Sequence, residues 1–264
     1  MRTHPEPGSV VQYTFDFTFG RQRDIAPVYQ QWQNLIADPK LDRRFGSEFI
    51  MYPLGAIITG SFYGTQKEFD ASGIPQRLPQ QGNRTLVVND WLGSLAHEAE
   101  KEALYLSDLP TPFYSKSLAF RPQELLPPQG IDGLFRYLDG VDKGTLLWFI
   151  IFDASGGAVS DPPLNSTAYA HRDKILFYQS YAVGLLELSD KTRNFLTGFH
   201  NKLLQSIPPG TYGTYPGYVD PAIPNPQEQY WMSNLAQLGR IKTRWDPADT
   251  FRNPGSVRPG NGKR

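Results

Sequence analysis

Between Val11 and Phe19 the chain alternates Val11, Tyr13, Phe15, Phe17 and Phe19 with Gln12, Thr14, Asp16 and Thr18. A strand turns successive side chains to opposite faces, so this order demands a sheet with one buried aromatic face and one polar face. The aromatic face needs a cover, and the next segment supplies one. After Asp24, an N-cap by residue type, Ile25, Val28, Tyr29, Trp32, Leu35 and Ile36 recur at helical spacing until Asp38-Pro39 ends the pattern. Strand followed by amphipathic helix is the opening of a crossover.

Further along, residues 49–52 and 56–63 read as two short strands around Pro53-Leu54-Gly55, a hairpin. Residues 66–71 predict a short helix, 86–88 a strand, and 91–106 a weakly amphipathic helix. Ile131, Leu134, Phe135 and Leu138 share one face of a helix over 128–138. Residues 146–152, the Gly156-Gly157 turn, 168–169 and 174–183 predict strands at the centre of the sheet. Phe195, Phe199 and Leu203 mark a helix over 190–206 that stops at Ile207-Pro208-Pro209-Gly210, and 231–244 reads as a final helix before a basic tail. No internal repeat or low-complexity tract is visible in the sequence. The expected class is α+β, a mainly antiparallel sheet flanked by helices, with an α+β region over 1–208 and a distinct C-terminal segment over 209–264.

Composition narrows the chemistry. Lys plus Arg and Asp plus Glu balance at 26 each, so no net field draws the chain to nucleic acid or an anionic membrane. The absence of cysteine excludes disulfides and thiolate nucleophiles. No apolar run reaches the roughly 18 residues of a membrane span, so a soluble protein is expected. The first residues lack the apolar core of a signal peptide. Phosphate-binding glycine loops, G-x-S-x-G and H-E-x-x-H are missing, and His4, His97, His171 and His200 lack metal-ligand spacing. No metal site is expected. Asn83-Arg84-Thr85 and Asn165-Ser166-Thr167 are glycosylation sequons, meaningful in a secreted protein.

The segment that stands apart is Tyr212-Gly213-Thr214-Tyr215-Pro216-Gly217-Tyr218-Val219-Asp220-Pro221, followed by Tyr230-Trp231-Met232-Ser233-Asn234-Leu235. Its order, with Ile241-Lys242 and Asp246-Pro247 through Phe251-Arg252-Asn253-Pro254-Gly255-Ser256-Val257, resembles the C-terminal part of berberine-bridge-enzyme-like oxidoreductases, fungal ones especially. Gly156-Gly157-Ala158-Val159, Thr167-Ala168-Tyr169-Ala170-His171-Arg172, Phe62-Tyr63-Gly64 and Lys116-Ser117 fit the same family. Arg2-Thr3-His4-Pro5 looks like the strand that ends the family's flavin-binding domain, as though that domain preceded this chain.

The resemblance implies FAD as cofactor, held by an N-terminal domain missing or separate here, and a substrate domain whose sheet covers the flavin ring. It implies a small-molecule alcohol, sugar or secondary-metabolite substrate oxidised by hydride transfer. By carry-over Tyr215 is the catalytic base, while Tyr215, Gly217 and His171 border the cofactor and Gln179, Tyr181 and Tyr218 border the substrate. An ordinary phenol, with a pKa of about 10, is a poor base at neutral pH and needs a helper. Gln179 could orient Tyr215 but cannot supply charge, and Gly217 stands where many plant members carry Asn. Two other functions fit such a chain: a non-redox small-molecule-binding or pericyclase-like protein, and an inactive truncated homologue.

Overall fold

The computed structural model describes residues 5–97, 111–184, 186–208, 212–218, 220 and 222–260. Its strands are β1 (Val10–Thr18), β2 (Phe45–Tyr52), β3 (Gly55–Phe62), β4 (Asn83–Asn89), β5 (Phe113–Phe120), β6 (Leu147–Ala154) and β7 (Leu176–Val183). They form one sheet in the order β4-β1-β3-β2-β6-β7-β5, and every pairing is antiparallel. The helices that matter for packing are α1 (Ala26–Ile36), α2 (Gln66–Ala71), α3 (Ile74–Arg77), α4 (Pro128–Gly140) and α5 (Asp190–Ser206). After them come α6 (Pro226–Trp231) and α7 (Leu235–Trp245).

The topology repeats although the sequence does not. In the first unit β1, α1 and β2 form the expected crossover, and β3 returns to lie between the two strands. In the second, β5, α4 and β6 do the same with β7 between them. The units join through β2 and β6, paired around Phe49↔Phe152, so β1, β2 and β3 correspond to β5, β6 and β7 about the middle of the sheet.

One face carries the core. Val11, Tyr13, Phe15 and Phe17 of β1 are all buried, as their alternation requires. Tyr29 of α1 meets Phe49, Phe152 and Phe135 at centroid separations of 5.2, 4.8 and 5.8 Å, tying both halves to α4. Trp32 donates its indole N–H to Ser47 Oγ at 2.8 Å, so this large ring is buried without an unsatisfied donor. From α5, Phe195 packs on Trp148 and Phe199 on Tyr178. Each such aromatic contributes roughly 1.5–3 kcal/mol by leaving water.

Several expectations change. Residues 146–183 do not hold the sheet centre: β2 does, because the second unit runs outward from β6 and leaves β5 at the edge. Residues 168–169 form no strand; they belong to an irregular loop held by Arg172, which donates to Val159 O and Thr167 Oγ1. The helix expected over 231–244 is broken at Met232, where φ is 43°, because Trp231 is drawn to Gly255 O and Asn234 to Leu164 O and Thr167 O. α7 starts afresh at Leu235. Residues 91–97 are helical, and the rest of that expected helix lies outside the described residues.

Candidate active site on the uncovered face of the sheet

On the second face of the sheet the helical residues 91–97 reach β1, where Gln12 donates to Ser94 O, but among the described residues no helix lies over β6 and β7, and the strand alternation decides what they present. Phe152 and Tyr178 enter the core, so their neighbours Asp153, Gln179 and Tyr181 project the other way. Gln179 donates its amide to Asp153 Oδ2 at 2.8 Å and accepts the Tyr181 hydroxyl at 2.7 Å. Glu48 lies directly across β2 from Asp153 on this face. Burial raises the Asp153 carboxyl above the usual range, opposed by the hydrogen bonds from Gln179 and Tyr218.

The tyrosine loop reaches this face by wrapping round the free edge of β5. Ala119 donates its amide to Gly213 O at 2.8 Å, extending the sheet by a single bridge. Ser117 Oγ bonds Thr214 Oγ1 and donates to Tyr218 O at 3.1 Å. Beyond, Lys116 Nζ holds both carboxylate oxygens of Asp220 at 2.9 and 3.1 Å, in a pair that is 7% and 2% exposed. Tyr218 thereby comes to donate its hydroxyl to Asp153 Oδ2 at 3.2 Å. Burial, then the Asp153 charge, pushes the Tyr218 phenol well up.

Tyr215 stands edge-on to Tyr218 at 5.3 Å and to Tyr169 at 6.0 Å, 38% exposed. Gly217 leaves room for that ring: a Cβ there would lie 2.4 Å from Tyr215 Cε1. His171 is fully buried, its Nε2 3.1 Å from Tyr230 O, and its ring lies against Tyr169 and Phe177. Burial depresses its pKa to about 4, so it is neutral at pH 7. A Cβ on Gly213 would meet the His171 ring at 2.7 Å, which makes His171 a floor for the incoming loop.

The structure thus brings Gln179, Tyr181, Tyr218, Tyr215 and Gly217 to one face, where His171 is buried against Phe177 under the loop. Sequence reasoning missed Asp153. The signal was a carboxylate on the alternation of an otherwise apolar strand, but the strand was expected to end at Phe152, one residue short. A cavity of about 970 Å³, lined by Lys116, His200, Leu204, Tyr212, Asp220 and Met232, opens on the helix side, and neither Asp153 nor Tyr218 lines it. Among the described residues no group of His, Asp and Glu could hold a metal ion, and no helix is long and apolar enough to cross a membrane.

Residues 214–258 match the family model described as berberine and berberine like, which spans the tyrosine loop and the segment after it. Across 98% of its length the chain is 32% identical to the FAD-linked oxidoreductase sorD of Penicillium rubens, and it covers 56% of that protein. The chain belongs to the berberine-bridge-enzyme-like FAD-linked oxidoreductases. The chain is also 32% identical to the chitooligosaccharide oxidase of Gibberella zeae over 190 residues, 66% of this chain and 38% of that protein. The fold is shared with a solved structure: the xylooligosaccharide oxidase from Myceliophthora thermophila C1, in complex with xylobiose, superposes with a TM-score of 0.81 at 23% identity, covering 97% of this chain and 57% of that one. This family member therefore spans about half the length of the relatives it matches.

Proposed function

We propose that this chain forms the substrate-handling part of an FAD-linked oxidoreductase that oxidises an alcohol carbon of a sugar-like small molecule. The observation that carries the reading is the Tyr218–Asp153 hydrogen bond of 3.2 Å on the part of the sheet, β6 and β7, that no helix among the described residues covers. A flat cofactor ring suits that face: Asp153, Gln179, Tyr181 and Tyr218 stand half-buried on it, with Tyr215 and Gly217 exposed beside them. FAD, when bound there, supplies the acceptor for the hydride leaving the alcohol carbon.

The chain's own residues handle the proton. With its pKa raised, Tyr218 holds no standing phenolate at neutral pH. It works instead as a relay: the substrate hydroxyl proton passes to Tyr218 Oη as the phenol's own proton passes to Asp153 Oδ2. The C–H bond breaks with its electron pair, and the carbon–oxygen double bond forms. Partial burial makes Asp153 a stronger proton acceptor than an exposed carboxylate. Gln179 holds that carboxylate in place, and Tyr181 holds Gln179. The motif order nominates Tyr215 as base; because the carboxylate partner belongs to Tyr218, we assign the proton to Tyr218 and give Tyr215 the stacking wall for a substrate ring. His171 supports the loop from below rather than touching cofactor.

Tyrosine-selective 13Cζ NMR of the chain, titrated with FAD and then with xylo- and chito-oligosaccharides, tests this. Resonances of Tyr181, Tyr215 and Tyr218 should move while those of the core residues Tyr29 and Tyr178 stay fixed. Shifts elsewhere, or none, would remove the basis of the reading.

A further inference from the structure

The loop that carries both tyrosines is fastened on two faces of one strand. On the uncovered face Ser117 holds Thr214 and the Tyr218 carbonyl. On the helix face of the same strand, one residue earlier, Lys116 holds Asp220, two residues after Tyr218. Tyr218 and Asp220 are thus held on opposite sides of β5, and the ion pair fixes the second of them. Asp220 is itself set by the Tyr230 hydroxyl, which accepts from its amide at 3.1 Å, and by Ala222, whose amide donates to its carboxylate at 2.9 Å.

A buried ion pair is an uneconomical way to hold two segments together. Desolvation of both charges consumes most of their attraction, and an apolar pair of similar volume does as well or better for stability. What an ion pair adds is direction: two oxygens and one ammonium define a position that an apolar contact leaves free to slide. We propose that Lys116 and Asp220 are positioning residues, whose buried pairing sets the reach of the loop so that the Tyr218 phenol meets Asp153 on the opposite face. This rests on the Tyr218–Asp153 reading above and extends it to two residues that touch neither substrate nor cofactor.

The test reads Tyr218 directly in the full chain, again by 13Cζ-tyrosine NMR, with Tyr218→Phe to assign the resonance. As the pH falls through the carboxylate range, protonation of Asp153 should shift the Tyr218 signal; Glu48 and Tyr181 face the same carboxyl and are left unchanged throughout. Asp153→Asn should abolish the shift. Asp220→Asn and Lys116→Met should abolish it or cut it by more than half, and Lys116→Arg, which keeps the pair, should retain it. Should the single variants fail to melt cooperatively by circular dichroism, the double variant K116M/D220L, with an apolar pair in place of the buried charges, should fold yet still lose the shift. Retention of the full shift in any folded variant lacking the pair would overturn the positioning role while leaving the Tyr218–Asp153 reading standing. Retention of the shift in Asp153→Asn would overturn both.

Discussion

Asp153 shows how one residue is asked for two incompatible things. Its pKa is raised in the folded chain, so over the window between the ordinary carboxylate value and the raised one the folded state keeps a proton that the unfolded chain has released. Stability therefore falls as pH rises through that window, and above it the full cost of the half-buried charge stands. Asp153→Asn should raise the melting temperature at neutral pH. Where oxidation of a substrate is followed, the same change should lower kcat by about 100-fold or more, the usual size of a lost proton-transfer partner. Tyr218→Phe should do the same, whereas Tyr215→Phe should act chiefly on KM. A variant of Asp153 that loses both stability and activity would point to a structural role instead.

At the scale of elements, helices were the more legible. α5 runs from Asp190 to Ser206 as its apolar spacing and proline stop require, with Ser189 accepting from the Thr192 amide at its start. β5 was not legible: Ser115, Lys116 and Ser117 are all buried, so the strand shows no alternation of apolar and polar residues. Lys116 and Ser117 are there because the tyrosine loop meets that edge, a partner about 100 positions away in sequence. The β2–β3 hairpin has a different hidden requirement. A Cβ on Gly60 would fall 2.1 Å from Gly46 O and 2.5 Å from the Tyr13 hydroxyl, which itself donates to Gly46 O at 2.8 Å. Gly60→Ala should destabilise the chain by about 1–3 kcal/mol through overpacking, read as a lower urea midpoint at unchanged m-value.

For the molecule as a whole, acid is the sensitive direction. His171 and His200 are neutral in the folded chain, each depressed by burial to about 4. Lys174 and Asp173 act on the first, Lys116 and Asp220 on the second. Between the ordinary histidine pKa of about 6.5 and that depressed value the unfolded chain binds protons that the folded chain refuses, so stability is lost as pH falls across this window. Each histidine accounts for roughly 3 kcal/mol of that loss, and among the described residues the raised carboxyl of Asp153 opposes it. Urea midpoints measured from neutral pH down to the acid end of the window should fall steadily, and less steeply in His200→Gln. A flat profile would mean that water reaches both rings.

The amino-acid order alone determined the strand at Val11, the crossover helix with Tyr29 and Trp32, the α+β class and the tyrosine loop, because periodicity and residue order are local properties that need no partner. It also carried the family, through residues whose spacing is kept whatever they touch. Tertiary structure decided which strand stands at the centre, why Lys116 is buried, and that Tyr218 rather than Tyr215 meets a carboxylate. Those are facts about segments some 65 to 104 residues apart. A side chain's position in the chain says which face it leaves by; it does not say what waits on that face.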